Sequence, residues 1–244
     1  MKTMGKVIFK FFSIVLMGMI LTTSCEDYLD KAPEVNITEE DVFSKFTSFQ
    51  GFVEDLYQNI VDVTLCTDAT MNYNWGDDVI HSYSFMVGPY FEKGDYWIWQ
   101  TTSRSPFNGT ITGGATQTVK GVKGYWAHGW YGIRNANIAL RNIDKLITGT
   151  PEERDLVAGQ AYFFRGYLHF EILRAWGGIP YIDTVFSPTD QLKRPRLSYR
   201  QTAEKISADM EKAAQLLPAV SWDQTTAGQT TLGNNNGRLT KAAA

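Results

Sequence analysis

The chain has 244 residues, of which 43% are hydrophobic and 20% are charged, proportions that are ordinary for a globular protein. The formal net charge at pH 7 is −3, so the composition gives no sign of a nucleic-acid-binding surface. The length is sufficient for one domain or two small ones.

The first 25 residues predict a bacterial lipoprotein signal peptide rather than a part of the fold. Three lysines precede the apolar run Phe11–Leu21, which is too short to span a bilayer comfortably. The small residues Thr22–Ser24 then lead to Cys25, which would become the lipidated first residue of the mature protein. The leucine usual three residues before the cysteine is replaced by threonine, so an ordinary cleaved signal with an incidental cysteine is the alternative.

The mature chain would be more acidic than the full one. Removing residues 1–25 takes away three of the 23 basic residues and none of the 26 acidic ones, which leaves a net charge of −6. Only Cys66 would keep a free thiol, and we interpret it as a small buried residue. The acidic stretch Glu26–Asp30 is either a solvated tether or, as in Bacteroides-type lipoproteins, a signal for display on the outer face of the cell. We favour display.

The first predicted helix begins at Thr38 and runs to about Val63. Thr38 can cap it, and the acidic residues at 39–41 suit the positive end of a helix dipole. Seven apolar residues then recur at spacings of three and four, which predicts one amphipathic face. They are Val42, Phe46, Phe49, Val53, Leu56, Ile60 and Val63.

Residues 67–118 have a different character. They are rich in Gly, Asn, Thr and aromatic residues and show no sustained helical period, so irregular structure is predicted. Only Tyr96–Trp99 has the pattern of a short extended piece. A long irregular segment in a compact domain is usually either functional or a sign that its secondary structure has been misassigned.

A helical pattern returns at about Val119 and continues to Ile147. Its predicted inner stripe consists of Trp126, Trp130, Ile133, Ala136, Leu140, Ile143 and Ile147. Because the turn at Thr148–Gly149 is short, we expect this helix to lie antiparallel to the one that follows.

The following helix, between Thr150 and Pro180, carries its own start and stop signals. Thr150 and Glu153 can form a capping box, and Gly177–Gly178 can end the helix. Apolar residues occupy nearly every side, which predicts a central, well-packed helix. The only polar strip consists of Gln160, Glu171 and Arg174.

Several large side chains of this helix are interpreted as scaffold. The predicted core aromatics are Phe163, Phe164, Phe170 and Trp176. Arg165 lies among apolar neighbours and needs a carboxylate or carbonyl partner if it is buried. We therefore interpret Arg165 as a structural residue.

The remaining chain predicts a proline-containing connection, one more helix and a loop. Tyr181–Leu197 is the connection, and Ser198 with Gln201 forms a second capping box. The inner face of this helix is predicted to contain Ala203, Ile206, Met210, Ala213 and Leu217. Trp222–Gly237 is polar and predicted to be a loop, and the final alanines predict a helical turn.

Five stretches of the sequence match one known family in the same order. They are Cys25 with Asp27–Asp30 and Pro33, Thr38–Tyr57, Trp130–Tyr131 with Asn135–Asn137, Arg165–Tyr167 through Trp176–Pro180, and Gly237–Ala243. The fourth is the most specific, because it joins an aromatic-rich helix to a Trp-Gly-Gly-x-Pro exit. On these residues, the chain resembles the SusD/RagB-like outer-membrane nutrient-binding lipoproteins.

The resemblance implies an all-α fold of tetratricopeptide-like helical pairs, with an irregular aromatic-rich insertion around residues 67–118. It also implies a protein that is not an enzyme and has no cofactor. Such a protein captures an oligosaccharide or polysaccharide at the cell surface and delivers it to a SusC-like TonB-dependent transporter. We expect residues 26–244 to form the N-terminal helical domain of such a lipoprotein, truncated at its C-terminus, because family members are usually longer.

Candidate sugar-binding residues fall within the irregular segment. Sugar binding requires flat apolar surfaces for the ring faces and a few placed polar groups for the hydroxyls. Trp97 and Trp99 are two residues apart, so in an extended piece both rings project from the same side and form a platform. The other dense aromatic and polar cluster consists of Tyr73, Asn74, Trp75, Asp77 and Asp78. The alternative is that these aromatics pack against the protein's own loops.

The sequence gives little support for catalysis or metal binding. The adjacent carboxylates Asp77 and Asp78 do not provide the separation that paired glycosidase carboxylates need. The three histidines are scattered, and the sequence contains no HExxH, CxxC or GxSxG motif. The main alternative to a glycan-binding protein is a structural or interaction lipoprotein, or a truncated remnant, that binds no sugar.

Overall fold

A computed structural model describes residues 38–60, Gly94 and 125–244, and within these ranges the chain is all-α. The α-helices are α1 (Glu39–Phe43), α2 (Phe46–Glu54), α3 (Tyr125–Asn142), α4 (Pro151–Trp176), α5 (Tyr199–Leu216) and α6 (Thr226–Gln229). Short 3-10 helices occupy Asp55–Asn59, Ile143–Lys145, Trp222–Gln224 and Lys241–Ala243. None of these helices is long and apolar enough to cross a membrane.

The central position of α4 is confirmed. Thr150 accepts a hydrogen bond from the Glu153 backbone, and the Glu153 carboxylate accepts one from the Thr150 N–H at 2.7 Å, which completes the predicted capping box. The helix ends at Trp176, where Gly177 has a left-handed backbone with φ of 74°. Helices α2, α3, α5 and α6 all pack against α4, so the core forms around it.

One detail of the α4 prediction is wrong. Phe170, interpreted as core, is 42% exposed, although Phe163, two turns earlier on the same side of α4, is buried. The predicted polar strip is itself buried at Gln160 and Glu171. Gln160 is buried because α2 packs there, and Gln50 of α2 exchanges side-chain hydrogen bonds with it at 2.9 and 3.2 Å.

Helices α3 and α4 form the predicted antiparallel pair. Trp126 packs against Trp176 near one end, with ring centroids 5.0 Å apart, and Asn137 bonds Arg165 farther along. The two backbones approach closely at Gly129, where an added Cβ would lie 2.8 Å from a methyl carbon of Ile172. This glycine therefore permits the close contact between the two helices.

The predicted inner stripe of α3 is wrong at its last residue. Ile147 is 70% exposed, whereas the neighbouring Leu146 is fully buried. The α-helix ends at Asn142 and continues as the 3-10 helix Ile143–Lys145. A 3-10 helix has three residues per turn, so the position that faces the core moves one residue earlier. The predicted start at Val119 lies outside the described residues.

The predicted continuous helix from Thr38 to Val63 is also wrong. It is broken at Ser44–Lys45, where Lys45 is extended with φ of −122° and ψ of 142°, and the 3-10 helix after α2 ends at Asn59. The break turns Phe43 inward, although it does not belong to the predicted stripe, and its ring packs edge-on against Phe49 at 4.9 Å. Ile60 is 41% exposed, and Val63 lies outside the described residues.

Near the C-terminus, the capping box of Ser198 and Gln201 is confirmed. The loop prediction for Trp222–Gly237 is wrong in part, because a 3-10 helix and α6 form there. Trp222 is only 1% exposed, and its indole N–H donates to the Leu239 carbonyl at 2.7 Å. The buried indole anchors this segment to the core. The polar composition of the segment gives no sign of this contact.

Replacing Gly178 by alanine is expected to lower the free energy of unfolding by about 2 kcal/mol, because overpacking against backbone leaves little room to adjust. An added Cβ would lie 2.7 Å from the Ser198 carbonyl carbon and overlap the Leu197 carbonyl oxygen. Urea unfolding of the purified protein measures the effect.

Gly51→Ala is the matched control for that substitution. Gly51 lies in α2, and no atom of the described structure lies within 4 Å of an added Cβ. Alanine is therefore expected to stabilise the helix there by about 0.5–1 kcal/mol. Equal stability of the Gly178→Ala variant and the wild type would contradict the proposed backbone clash.

Candidate functional site

A cleft with four charged or amide residues in its lining lies where the end of α2 meets the chain that follows α6. Its volume is about 220 Å³. The lining residues are Glu54, Tyr57, Asn234, Asn236, Gly237 and Arg238. The cleft brings together two segments that are more than 180 positions apart in the sequence.

Hydrogen bonds between and within the two segments hold the cleft in shape. The Arg238 Nη2 group donates to the Glu54 carboxylate, and Arg238 Nε donates to the Asn234 carbonyl at 3.0 Å. The Leu239 N–H donates to the Tyr57 hydroxyl oxygen at 3.1 Å. Gly237 has φ of 77°, a left-handed conformation that glycine adopts readily, and it turns the chain immediately before Arg238.

Arg238 is the most deeply placed charge of the cleft. Its side chain is 6% exposed, and its guanidinium carbon lies 4.8 Å from the centre of the Trp222 ring. The Nη1 group is screened from solvent and has no hydrogen-bond partner in the described part of the chain. A buried donor without an acceptor costs about 1–3 kcal/mol, and more when it is charged. Arg238 is thus an incompletely satisfied donor at the cleft wall.

Tyr57 forms a fixed wall of the cleft. Its hydroxyl donates to Gln160 of α4 at 2.9 Å while accepting from Leu239, so both roles of the oxygen are used. Its ring packs edge-on against Phe164 at 4.7 Å. Burial raises the pKa of Tyr57 to about 12, so the hydroxyl remains protonated at neutral pH. Tyr57 therefore shapes the cleft wall, and its hydroxyl is already occupied by hydrogen bonds within the protein.

The accessible polar groups of the cleft are a carboxylate and two amides. The Glu54 side chain is 47% exposed, and Asn234 and Asn236 are exposed. Together they supply both acceptors and donors of hydrogen bonds. The charges of Glu54 and Arg238 compensate one another, so the lining carries no net charge. This chemistry suits reversible binding through hydrogen bonds.

A second polar centre is buried between α3, α4 and α5. Arg165 donates from Nε and Nη2 to the two Asp209 carboxylate oxygens at 2.6 Å each, and from Nη1 to the Asn137 amide oxygen at 3.0 Å. The Tyr181 hydroxyl also donates to Asp209. The prediction that Arg165 is structural and needs a carboxylate partner is therefore confirmed.

His169 belongs to the same buried scaffold. The Ile182 N–H donates to Nε2 at 3.0 Å, so Nε2 is an acceptor and Nδ1 carries the proton, which it donates to the Arg165 carbonyl at 2.7 Å. Burial lowers the pKa of His169 to about 4, so the ring is neutral at pH 7. Both nitrogens are used by the scaffold. No cluster of potential metal ligands occurs among the residues that the structure describes.

The sugar-binding and anchoring residues predicted from the sequence lie outside the described residues. They are Cys25, Tyr73, Asn74, Trp75, Asp77, Trp97 and Trp99. They remain predictions. The structure does describe the elements that border their segment: Ile60 follows the 3-10 helix Asp55–Asn59, and Tyr125 opens α3, which packs against that 3-10 helix.

Sequence reasoning did not identify the cleft. The sequence contains two signals near it, namely the Asn-Asn-Asn-Gly run at 234–237 and the Gly237–Arg238 pair within the family stretch Gly237–Ala243. The pairing of Arg238 with Glu54 spans 184 positions, so no local pattern predicts it.

Comparison with known proteins agrees with this helical architecture. A family model described as "Starch-binding associating with outer membrane" matches residues 27–231. The chain belongs to this SusD-like family. SusD-like protein P38 of Formosa agariphila is 23% identical over 214 residues, which cover 87% of this chain and 38% of that relative. SusD-like protein P2 of the same organism is 32% identical over 98 residues, or 40% of this chain and 19% of that relative.

A solved structure supports the same fold. A SusD-like protein from Bacteroides fragilis superposes with a TM-score of 0.53 at 23% sequence identity, covering 87% of this chain and 35% of that one. The predicted SusD-like, tetratricopeptide-like helical fold is therefore confirmed. The chain spans less than two-fifths of the length of the SusD-like protein P38.

Proposed function

We propose that this chain is a cell-surface lipoprotein that captures an oligosaccharide or polysaccharide and delivers it to a SusC-like TonB-dependent transporter. The family match over residues 27–231 carries this proposal, because the family is described as starch-binding and associated with the outer membrane. Binding would be noncovalent and would require neither a cofactor nor a chemical step.

The proposed anchor is at the N-terminus of the mature protein. Residues 1–25 would act as the lipoprotein signal, and Cys25 would carry the lipid that holds residues 26–244 at the outer membrane. The acidic residues Glu26–Asp30 would direct the protein to the exterior face. In this position the helical domain is placed where extracellular glycans arrive.

The proposed primary sugar contacts are in the segment between the 3-10 helix Asp55–Asn59 and α3. Trp97 and Trp99 would supply the stacking platform, and Tyr73, Asn74, Trp75 and Asp77 would supply further ring and hydroxyl contacts. The scaffold supports this division of roles. Its own buried polar groups, such as Arg165 and His169, are committed to hydrogen bonds within the helical pairs.

Substituting either Trp97 or Trp99 by alanine is expected to weaken glycan binding about tenfold, which corresponds to about 1.4 kcal/mol. Loss of a stacking surface at the centre of a binding site is the physical reason. Affinity electrophoresis in native gels containing soluble starch measures the effect.

Tyr199→Ala is the matched control, because Tyr199 is 56% exposed on α5 and lies outside the proposed site. It should leave the retardation unchanged. Unchanged mobility of both tryptophan variants, with the wild type clearly retarded, would reject the platform. A wild-type protein that co-purifies with a transporter but is retarded by no glycan would favour the structural or interaction lipoprotein.

A further inference from the structure

We propose that the cleft lined by Glu54, Tyr57, Asn234, Asn236, Gly237 and Arg238 is a second binding site, which takes a single neutral sugar unit. Its lining residues lie outside the segment that contains the predicted tryptophan platform. The choice of a sugar among small polyhydroxylated ligands rests on the proposed function. The cleft itself is formed by described residues alone.

The arrangement of donors and acceptors suits hydroxyl groups. A sugar hydroxyl both donates and accepts, and neighbouring hydroxyls are best read by groups of both kinds. The exposed Glu54 carboxylate accepts, while the exposed amides of Asn234 and Asn236 can do both. These three groups converge on one cavity.

Charge in the cleft favours a neutral ligand. Glu54 and Arg238 form an ion pair within the lining, so their charges compensate. A ligand carboxylate or sulfate approaching Arg238 would also approach the Glu54 carboxylate, and like charges repel. An uncharged hexose avoids this repulsion while retaining the hydrogen bonds.

The unsatisfied Arg238 group gives the ligand a place to bond. Nη1 is shielded and has no acceptor in the described structure, although the rest of the guanidinium is bonded to Glu54 and Asn234. Asn236 is exposed and can change rotamer, whereas Glu54 is held by the neighbouring Nη2 of Arg238. A ligand hydroxyl oxygen that displaces the Asn236 side chain and reaches Nη1 would accept from it and satisfy the donor.

Size limits the ligand to one ring. The cavity volume of about 220 Å³ is below the range of about 300–1,000 Å³ that is typical of pockets for drug-sized molecules. The Trp222 ring beside the cleft is covered by Arg238, and the Tyr57 hydroxyl in its wall is already bonded within the protein, so we expect hydrogen bonds to Glu54, Asn234 and Asn236 to dominate binding here. We therefore expect millimolar affinity. In a glycan, the terminal sugar unit would occupy the cleft.

The test is a titration of the ¹⁵N-labelled protein with maltotriose, followed through the side-chain amide signals of Asn234 and Asn236. Both signals should shift and saturate in the millimolar range, and Asn236→Ala should weaken that transition about tenfold. Gln191→Ala is the matched control, because Gln191 is an exposed loop amide outside the cleft and should leave the transition unchanged.

A Trp97→Ala variant separates this proposal from the proposed function. It should keep the shifts of Asn234 and Asn236 while its binding to starch weakens about tenfold. If maltotriose perturbs the Trp97 indole signal but moves neither amide, the second site is overturned and the proposed function stands. If neither the indole nor the amides respond, and no glycan retards the protein, both proposals are overturned.

Discussion

Replacing Asp209 by alanine is expected to lower the free energy of unfolding by about 3–5 kcal/mol, because removing one partner of a buried ion pair leaves the other charge uncompensated. The Arg165 and Asp209 side chains are only 11% and 8% exposed. The substitution also removes the acceptor of the Tyr181 hydroxyl. Urea unfolding followed by circular dichroism measures the loss, which is large relative to a typical total stability of about 5–15 kcal/mol.

Helix α5, which contains Asp209, also offers a matched control. Glu204 of α5 pairs with Arg200 at 2.9 Å, but the Arg200 and Glu204 side chains are 89% and 61% exposed. Glu204→Ala should therefore cost less than about 1 kcal/mol, as for other exposed ion pairs. Comparable losses from Asp209→Ala and Glu204→Ala would show that burial does not determine the strength of the Arg165 pair.

A double variant separates the cost of an unpaired charge from the value of the pair. Replacing Arg165 by methionine together with Asp209 by leucine removes both charges and retains apolar volume. Buried ion pairs exchanged for apolar residues often lose little stability. We expect the double variant to be more stable than Asp209→Ala alone, and the opposite order would contradict this account.

Local signals were sufficient for the ends of the main helices. The capping boxes of α4 and α5 depend on residues three positions apart, and both form as predicted. Arg165 also shows how far local reasoning extends. Its apolar surroundings predicted a buried partner, but the identity of that partner, Asp209, depends on how α5 packs against α4.

The errors occur where packing overrides a regular period. The break at Ser44–Lys45 buries Phe43. The 3-10 turn before Leu146 places Leu146, rather than Ile147, in the core. Both changes depend on contacts that the sequence does not display. The cleft was not predicted for the same reason, because Glu54 and Arg238 are far apart in the sequence and meet only in the folded chain. The predicted tryptophan platform lies outside the described residues and stays a prediction.

Acidification from pH 7 to pH 4 is expected to remove about 3 kcal/mol of stability through His169 alone. Burial lowers the pKa of His169 to about 4 in the folded state, whereas a histidine in the unfolded chain has a pKa of about 6.5. Between these values the unfolded state binds more protons than the folded state. The contribution of neutral His169 to the free energy of unfolding is therefore complete above pH 6.5 and is lost as the pH falls toward 4.

A comparison with His169→Asn isolates this effect. Asparagine can retain a donor for the Arg165 carbonyl but cannot titrate, so its acid slope should be shallower than that of the wild type. The comparison is needed because burial also raises the pKa of Glu171, whose protonation favours the folded state and opposes the effect of His169. Urea midpoints at pH 7, 5.5 and 4 give both slopes, and an NMR titration gives the pKa of His169 directly. Parallel slopes, or a His169 signal that titrates near pH 6.5, would show that the imidazole is not sealed within the scaffold.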